Sequence, residues 1–214
     1  MEQEKVGIIT MHRVKNAGSA LQAYALYHAV CKLGYKCEII DYQYPNEYHK
    51  QGDQNERATP FFTRLWQRIK YFILYRSRAQ QKRFNDFQTQ AWKSSNYFPN
   101  RESLIHNPPE YDICITGSDQ VWNPRCMKGD SIFFCDFSPN TPHIAYASSF
   151  TQGDIPYDLQ SHYAKHLSSY QAIGVRENSG VKLIEKLVAK KAEIVCDPTL
   201  LLTASDYAPF IAKA

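Results

Sequence analysis

The chain has 214 residues, 43% of them hydrophobic, enough for one large domain or for one domain and a fragment of another. Its 25 Lys and Arg against 21 Asp and Glu leave a net charge of +4, a field too weak to argue for nucleic acid, and none is expected as a partner. Met1 to Lys5 are polar and no apolar run approaches the ~18 residues of a membrane span, so a cytoplasmic protein with neither signal peptide nor anchor is expected.

Val6 to Thr10 is a short apolar run of the kind that forms a strand buried on both faces. After a connection from Met11 to Gly18, Ser19 stands where a helix N-cap would. Leu21, Ala25, Ala29 and Leu33 then recur every fourth residue, with Leu26 and Val30 alongside. This predicts an amphipathic helix stopped by Gly34. Lys36 to Asp41 reads as a second strand, so residues 6–41 make a βαβ unit with a right-handed crossover. From Tyr42 to Pro60 the chain is polar and without period, which predicts an exposed loop. Residues 61–93 turn helical again, and from Arg57 to Asn85 there are eight Lys or Arg and no acid.

Asn107-Pro108-Pro109 breaks the chain before a third strand, Tyr111 to Thr116. His143 to Ala147 is a fourth, followed by a helix from Tyr157 to Ser169. Ala172 to Val175 and Ala192 to Cys196 are two more, separated by a helix around Ser179 to Lys190, and Ser205 to Lys213 opens another helix. Strands alternating with helices imply an α/β fold, a Rossmann-like parallel sheet with helices on both faces. Residues 1–202 are expected to form it, with the polar loop 42–60 and the basic helical segment 61–93 inserted, and 203–214 to begin a linker or the next helix. The six cysteines (Cys31, Cys37, Cys114, Cys126, Cys135, Cys196) include no Cys-x-x-Cys pair and read as reduced structural thiols; no metal site is expected.

In an open parallel sheet, ligands bind beyond the carboxyl ends of the strands. The loop from His12 to Ser19 leads into a helix N-terminus, whose N–H groups and positive dipole end favour a phosphate or carboxylate. Tight packing of small residues is the other reading, and the Gly-x-Gly-x-x-Gly spacing of dinucleotide sites is absent. His12 lies on this rim and is a candidate for proton exchange near neutral pH, with no partner visible in the sequence. Asp41 is placed either to hold a ribose hydroxyl or to cap a loop.

After the third strand, Gly117, Ser118, Asp119, Gln120, Trp122 and Asn123 fit a sugar whose apolar side lies on the indole; alternatively Asp119 caps a helix and Trp122 fills a gap. Arg176 suits bidentate capture of a carboxylate or phosphate, or a surface pair with Glu177. The aromatic and basic stretch 61–83 either lies on an anionic membrane surface, at its inner face, or packs as a helix on the domain.

Six segments, in order, resemble successive motifs of the polysaccharide pyruvyl transferase family: Ile8 to His12, Asn16-Ala17-Gly18-Ser19-Ala20-Leu21-Gln22 with the residues to Leu26, Gly117-Ser118-Asp119-Gln120-Val121-Trp122-Asn123, Tyr146 to Phe150, Val175-Arg176-Glu177 and Asp197 to Leu201. The resemblance implies a two-domain fold like that of the GT-B glycosyltransferases, with this chain as the N-terminal half and the catalytic cleft between the halves. It implies transfer of a ketal-forming pyruvyl group from phosphoenolpyruvate, without a further cofactor, to a sugar or lipid-linked saccharide of a bacterial surface polysaccharide or its precursor, as in exopolysaccharide biosynthesis.

Carried over, Asn16, Gly18, Ser19 and Gln22 shape the first cleft loop, Gly117, Ser118, Asp119, Gln120 and Trp122 the acceptor side, and Arg176 reaches the donor's anionic groups. Asp119 and His12 are the candidates for catalytic proton transfer. Ser19 departs from the better-studied branch, which has Asp there, and Gly117-Ser118-Asp119-Gln120 replaces a glycine-rich run. The family's C-terminal domain has no counterpart before Ala214, so this fragment is expected to be inactive alone. Two other readings stand beside this one: a GT-B glycosyltransferase using a nucleotide sugar, and a non-catalytic glycan- or nucleotide-binding module.

Overall fold

The computed structural model describes residues 3–14, 16–45 and 78–211. Among them, seven strands form one all-parallel sheet: β1 (Lys5–Ile9), β2 (Lys36–Tyr42), β3 (Ser94–Phe98), β4 (Ile113–Thr116), β5 (His143–Ser148), β6 (Tyr170–Val175) and β7 (Glu193–Ile194). Their order is β3-β2-β1-β4-β5-β6-β7. The sheet therefore grows outward from β1 in one direction and from β4 in the other, and the loops leaving those two strands diverge to open a crevice.

The helices are α1 (Ala17–Lys32), α2 (Arg78–Ala91), α3 (Arg101–His106), α4 (Pro124–Met127), α5 (Tyr157–Leu167), α6 (Asn178–Val188) and α7 (Ala204–Ile211). Side chains alternate along each strand, so each supplies two cores. Val6, Ile8, Cys37, Ile39 and Ile115 pack on one side with Tyr24, Leu26 and Val30 of α1, with Ala91 and Trp92, and with Tyr207 and Phe210 of α7. Ile9, Ile40 and Cys114 pack on the other with Leu104, Met127, Tyr163, Leu167 and Ile184, which belong to α3, α4, α5 and α6. The sheet is covered on both faces, as the alternation of elements predicts.

Three local readings change. The N-cap of α1 is Asn16 rather than Ser19: the Asn16 side chain accepts from Gly18 N at 2.7 Å and Ser19 N at 3.3 Å, so Ser19 already lies in the first turn. The basic helix ends at Ala91, and the residues after it form β3, whose Ser-Ser-Asn-Tyr-Phe sequence is mostly exposed on the sheet edge. Such an edge strand has no apolar alternation to announce it. The last strand shrinks to two exposed residues. Gly34 does stop α1, at φ +97°, the left-handed conformation that a helix end asks for.

The predicted loop beyond Pro45 and the first part of the basic segment, through residue 77, lie outside the described residues, as does most of the stretch read as a membrane surface. Among the described residues no helix is long and apolar enough to cross a membrane. All six cysteines are free, and Cys37, Cys114, Cys126 and Cys135 are buried.

Candidate functional site

Because every strand runs the same way, the loops after β1, β2, β4, β5, β6 and β7 share one edge of the sheet. Thr10, the first residue past β1, ties the centre of that edge together. Its Oγ1 donates to Ser118 O at 2.9 Å and accepts from Gln22 Nε2 at 3.0 Å; Gln22 Nε2 also donates to Ser19 O at 2.9 Å. Gly117 eases this closeness, since a Cβ there would stand 3.0 Å from Thr10 Cβ, tighter than an ordinary contact. Ser118 and Gln22 are 0% and 3% exposed, and among the described residues Ser118 Oγ and Gln22 Oε1 have no hydrogen-bond partner. Buried polar atoms left in this way cost stability, so they mark a place shaped by something besides packing.

Asp119 stands over the same crevice with φ +85°, a strained conformation for a residue with a Cβ. It is held there from both sides: Ser149 N donates to Asp119 O at 3.0 Å and Trp122 N to Ser149 O at 3.2 Å. The carboxylate accepts from Gln120 N at 2.8 Å through Oδ1 and from Ser19 Oγ at 2.6 Å through Oδ2. The structure thus brings Asn16, Gly18, Ser19, Gln22, Gly117, Ser118, Asp119 and Gln120 together at the switch between β1 and β4.

It also corrects what this end of α1 can hold. The amides of Gly18 and Ser19 are spent on Asn16, and the Asp119 carboxylate lies against the first turn, so an incoming phosphate or carboxylate would meet an occupied cap and a like charge.

Trp122 is a second correction. It is fully buried, stacked on Phe134 at 5.6 Å, and its Nε1 donates to Phe133 O at 3.1 Å. Its indole is core and offers no face to a sugar.

His12 has the partner that its sequence context hid. Its Nε2 lies 2.9 Å from Asp41 Oδ1 and its Nδ1 3.1 Å from Thr10 O. Both partners are oxygen atoms, so the ring is held from two sides. Arg13 reaches the same oxygen, Nη2 at 2.7 Å and Nε at 2.8 Å, and lies over the Tyr97 ring at 4.7 Å. Burial pushes the Asp41 carboxyl up, but the His12 hydrogen bond and the His12 and Arg13 charges outweigh it and hold it below the usual carboxylate range. Asp41 thus ties His12 and Arg13 together through Oδ1, which fits the loop-capping reading of this acid. His12, 4% exposed and engaged through both nitrogens, acts here as an anchor of the loop.

Arg176 and Glu177 part company. Glu177 Oε1 accepts from Ser149 Oγ, Phe150 N and Thr151 N at 2.9, 2.8 and 3.1 Å, so it shapes the loop after β5. Arg176 pairs instead with Asp197, Nη1 to Oδ2 at 2.9 Å, both side chains about 30% exposed. Asp197 is itself oriented by Thr199 N and Oγ1, at 3.0 and 2.8 Å from Oδ1. Burial pushes the Asp197 carboxyl up, while the Thr199 hydrogen bonds and Arg176 prevail and lower it. One of five guanidinium donors goes to Asp197. Next to Arg176 begins α6, whose N-cap Glu177 makes no side-chain cap and whose first turn has no acid.

Sequence reasoning offered Glu177 as the alternative partner of Arg176, where the structure has Asp197, and left His12 alone. The available signal was topological: β2 lies beside β1 and β7 beside β6, so the polar residues ending neighbouring strands meet. Among the described residues no group of three or more His, Cys, Asp or Glu could hold a metal ion.

Fold and edge together define a doubly wound, Rossmann-like α/β domain with a polar crevice at its topological switch point. A family model described as polysaccharide pyruvyl transferase matches residues 16–214. The chain belongs to the polysaccharide pyruvyl transferase family, a family of transferases. No curated protein matches it.

Proposed function

We propose that the protein is a pyruvyl transferase domain that takes phosphoenolpyruvate as donor and a sugar of a surface polysaccharide, or its lipid-linked precursor, as acceptor. The observation that carries this reading is family membership over residues 16–214. Within it, the geometry distributes the charges. Arg176, about 30% exposed and with guanidinium donors beyond the one given to Asp197, is the cation suited to the donor's carboxylate or phosphate, whereas the α1 end, faced by Asp119, suits hydroxyl groups.

Ketal formation protonates the methylene carbon of the donor, forms two C–O bonds at its C2 and releases phosphate with the second acceptor proton. Asp119, fixed by Ser19 and Gln120 at 2.6 and 2.8 Å, is the group on this domain to take an acceptor proton. His12 holds the loop in place through Asp41.

Calorimetric titration of the full-length protein with phosphoenolpyruvate and, separately, with nucleotide sugars tests the reading. Phosphoenolpyruvate should bind, and Arg176→Ala should weaken it about tenfold or more while shifting the thermal midpoint little, because a half-exposed pair contributes only ~0–1 kcal/mol to folding. Heat with nucleotide sugars alone would eliminate the pyruvyl assignment. A glycan- or nucleotide-binding module would bind its ligand yet ignore the donor.

A further inference from the structure

Strained backbone gathers at one place on the carboxyl edge. Besides Asp119 at φ +85°, Ala147 near the end of β5 has φ +57° and Thr151 in the loop after it has φ +55°. Residues with a Cβ keep such angles where their surroundings over-determine them.

The loop after β5 supplies those surroundings for Asp119. Asp119 pairs with Ser148 in an isolated parallel bridge, and Ser148 Oγ donates to Gly117 O at 3.1 Å. Ser149 then takes hold of both ends of the turn 119–122, its N–H donating to Asp119 O and its carbonyl accepting from Trp122 N. With the backbone set in this way, the Asp119 carboxylate meets Ser19 Oγ and Gln120 N.

Two anchors hold the loop itself. The apolar one is Phe150, fully buried with its ring 5.3 Å from Trp122. The polar one is Glu177, on which three donors of the loop converge: Ser149 Oγ, Phe150 N and Thr151 N all reach its Oε1. Apolar packing is non-directional, so Phe150 decides where the loop lies. Hydrogen bonds to a carboxylate are directional and about twice as strong as neutral ones, so Glu177 decides how the peptide at Ser149 is turned, and hence where its N–H points.

We propose that Glu177 is a positioning residue for Asp119: acting through Ser149, it keeps the Asp119 backbone in the left-handed conformation and so aims the carboxylate across the crevice at the first turn of α1. The catalytic meaning of this rests on Asp119 taking the acceptor proton, as given above. Arg176, assigned to the donor, directly precedes Glu177 in the chain, so the donor side and the acceptor side of the crevice are tied to consecutive residues.

The test is made by NMR on the full-length protein, deuterated and labelled with 13C and 15N, as wild type, Glu177→Ala and Glu177→Gln, with phosphoenolpyruvate titrated into the wild type in parallel. The Cα shift of Asp119 reports its φ. Amide exchange at Ser149 and Gln120 reports the bonds that these groups give to Asp119 O and Oδ1, and the Ile39 amide, bonded to Lys93 O at 2.8 Å in the sheet, is the reference for overall stability.

Glu177→Ala should move the Asp119 signal towards the values of extended backbone and speed exchange at Ser149 and Gln120 about tenfold or more beyond any change at Ile39. Glu177→Gln, which keeps an oxygen acceptor, should restore most of both. An unmoved Asp119 signal in Glu177→Ala overturns the proposal, because Phe150 then holds the loop alone. Equal acceleration at all three amides also overturns it, since that is a loss of stability and nothing more. Donor binding with the Asp119 signal unmoved removes the positioning and leaves the donor reading standing. A moved signal without donor binding by the wild type keeps the positioning and removes the pyruvyl reading.

Discussion

Asp41 gathers His12 and Arg13 on one oxygen, with its side chain only 20% exposed. Replacing it with Asn leaves His12 and Arg13 facing a neutral amide, and should cost roughly 2–3 kcal/mol, somewhat below the ~3–5 kcal/mol for breaking a fully buried pair. Denaturant midpoints of the two proteins at neutral pH measure this. The pH dependence has a definite sign. Asp41 and Asp197 are both held below the ordinary carboxylate value in the folded chain. Their contribution is therefore fully present above the unfolded value of ~4 and is lost as pH falls through the folded ones. Stability should decline in acid below about pH 4, and less steeply in Asp41→Asn. An equal slope would mean that the pair does not titrate as described.

At the scale of elements, the α1 cap is a separable contribution. Asn16→Ala removes the acceptor for two helix amides and should destabilise by ~1 kcal/mol, measured by urea unfolding; no change would return the cap to Ser19. The strands were legible wherever they were buried on both faces. Val6 to Ile9 and Ile39 to Ile40 are continuous apolar runs, and such runs have few alternatives. β3 was not legible, because Ser94, Asn96 and Tyr97 are exposed on an edge and hydrophobic pattern carries no record of backbone pairing. The site was half legible. Which residues end each strand follows from the sequence, so Asn16, Asp119 and Arg176 were found on the carboxyl edge. Which of them touch depends on strand order, and the order sets Asp41 beside His12 and Asp197 beside Arg176. Burial was hidden too: Trp122 follows a strand as a ligand platform would, yet the aromatic residues Phe134 and Phe150 close over it.

For the molecule as a whole, the cysteines report how completely two cores enclose the sheet. Cys196 is exposed and Cys31 half-buried, while Cys37, Cys114, Cys126 and Cys135 are buried. A thiol reagent should label Cys196 at once, Cys31 more slowly and the other four only when the chain unfolds. Rapid labelling of Cys114 or Cys135, which lie under α4 and α5, would show that this face opens readily.

The docking of α7 on α1 has a consequence for synthesis. Tyr24 OH donates to Asp206 O across 182 residues of chain and Lys32 pairs with Asp206 across 174, and Tyr24 packs against Phe210 at 5.0 Å. A ribosome adding ~5–20 residues per second needs on the order of ten seconds or more to deliver that partner. Throughout that interval the aromatic flank of the first helix is without its final cover, and Phe87 of α2, 6.1 Å from the Tyr24 ring, is the part of that cover made first.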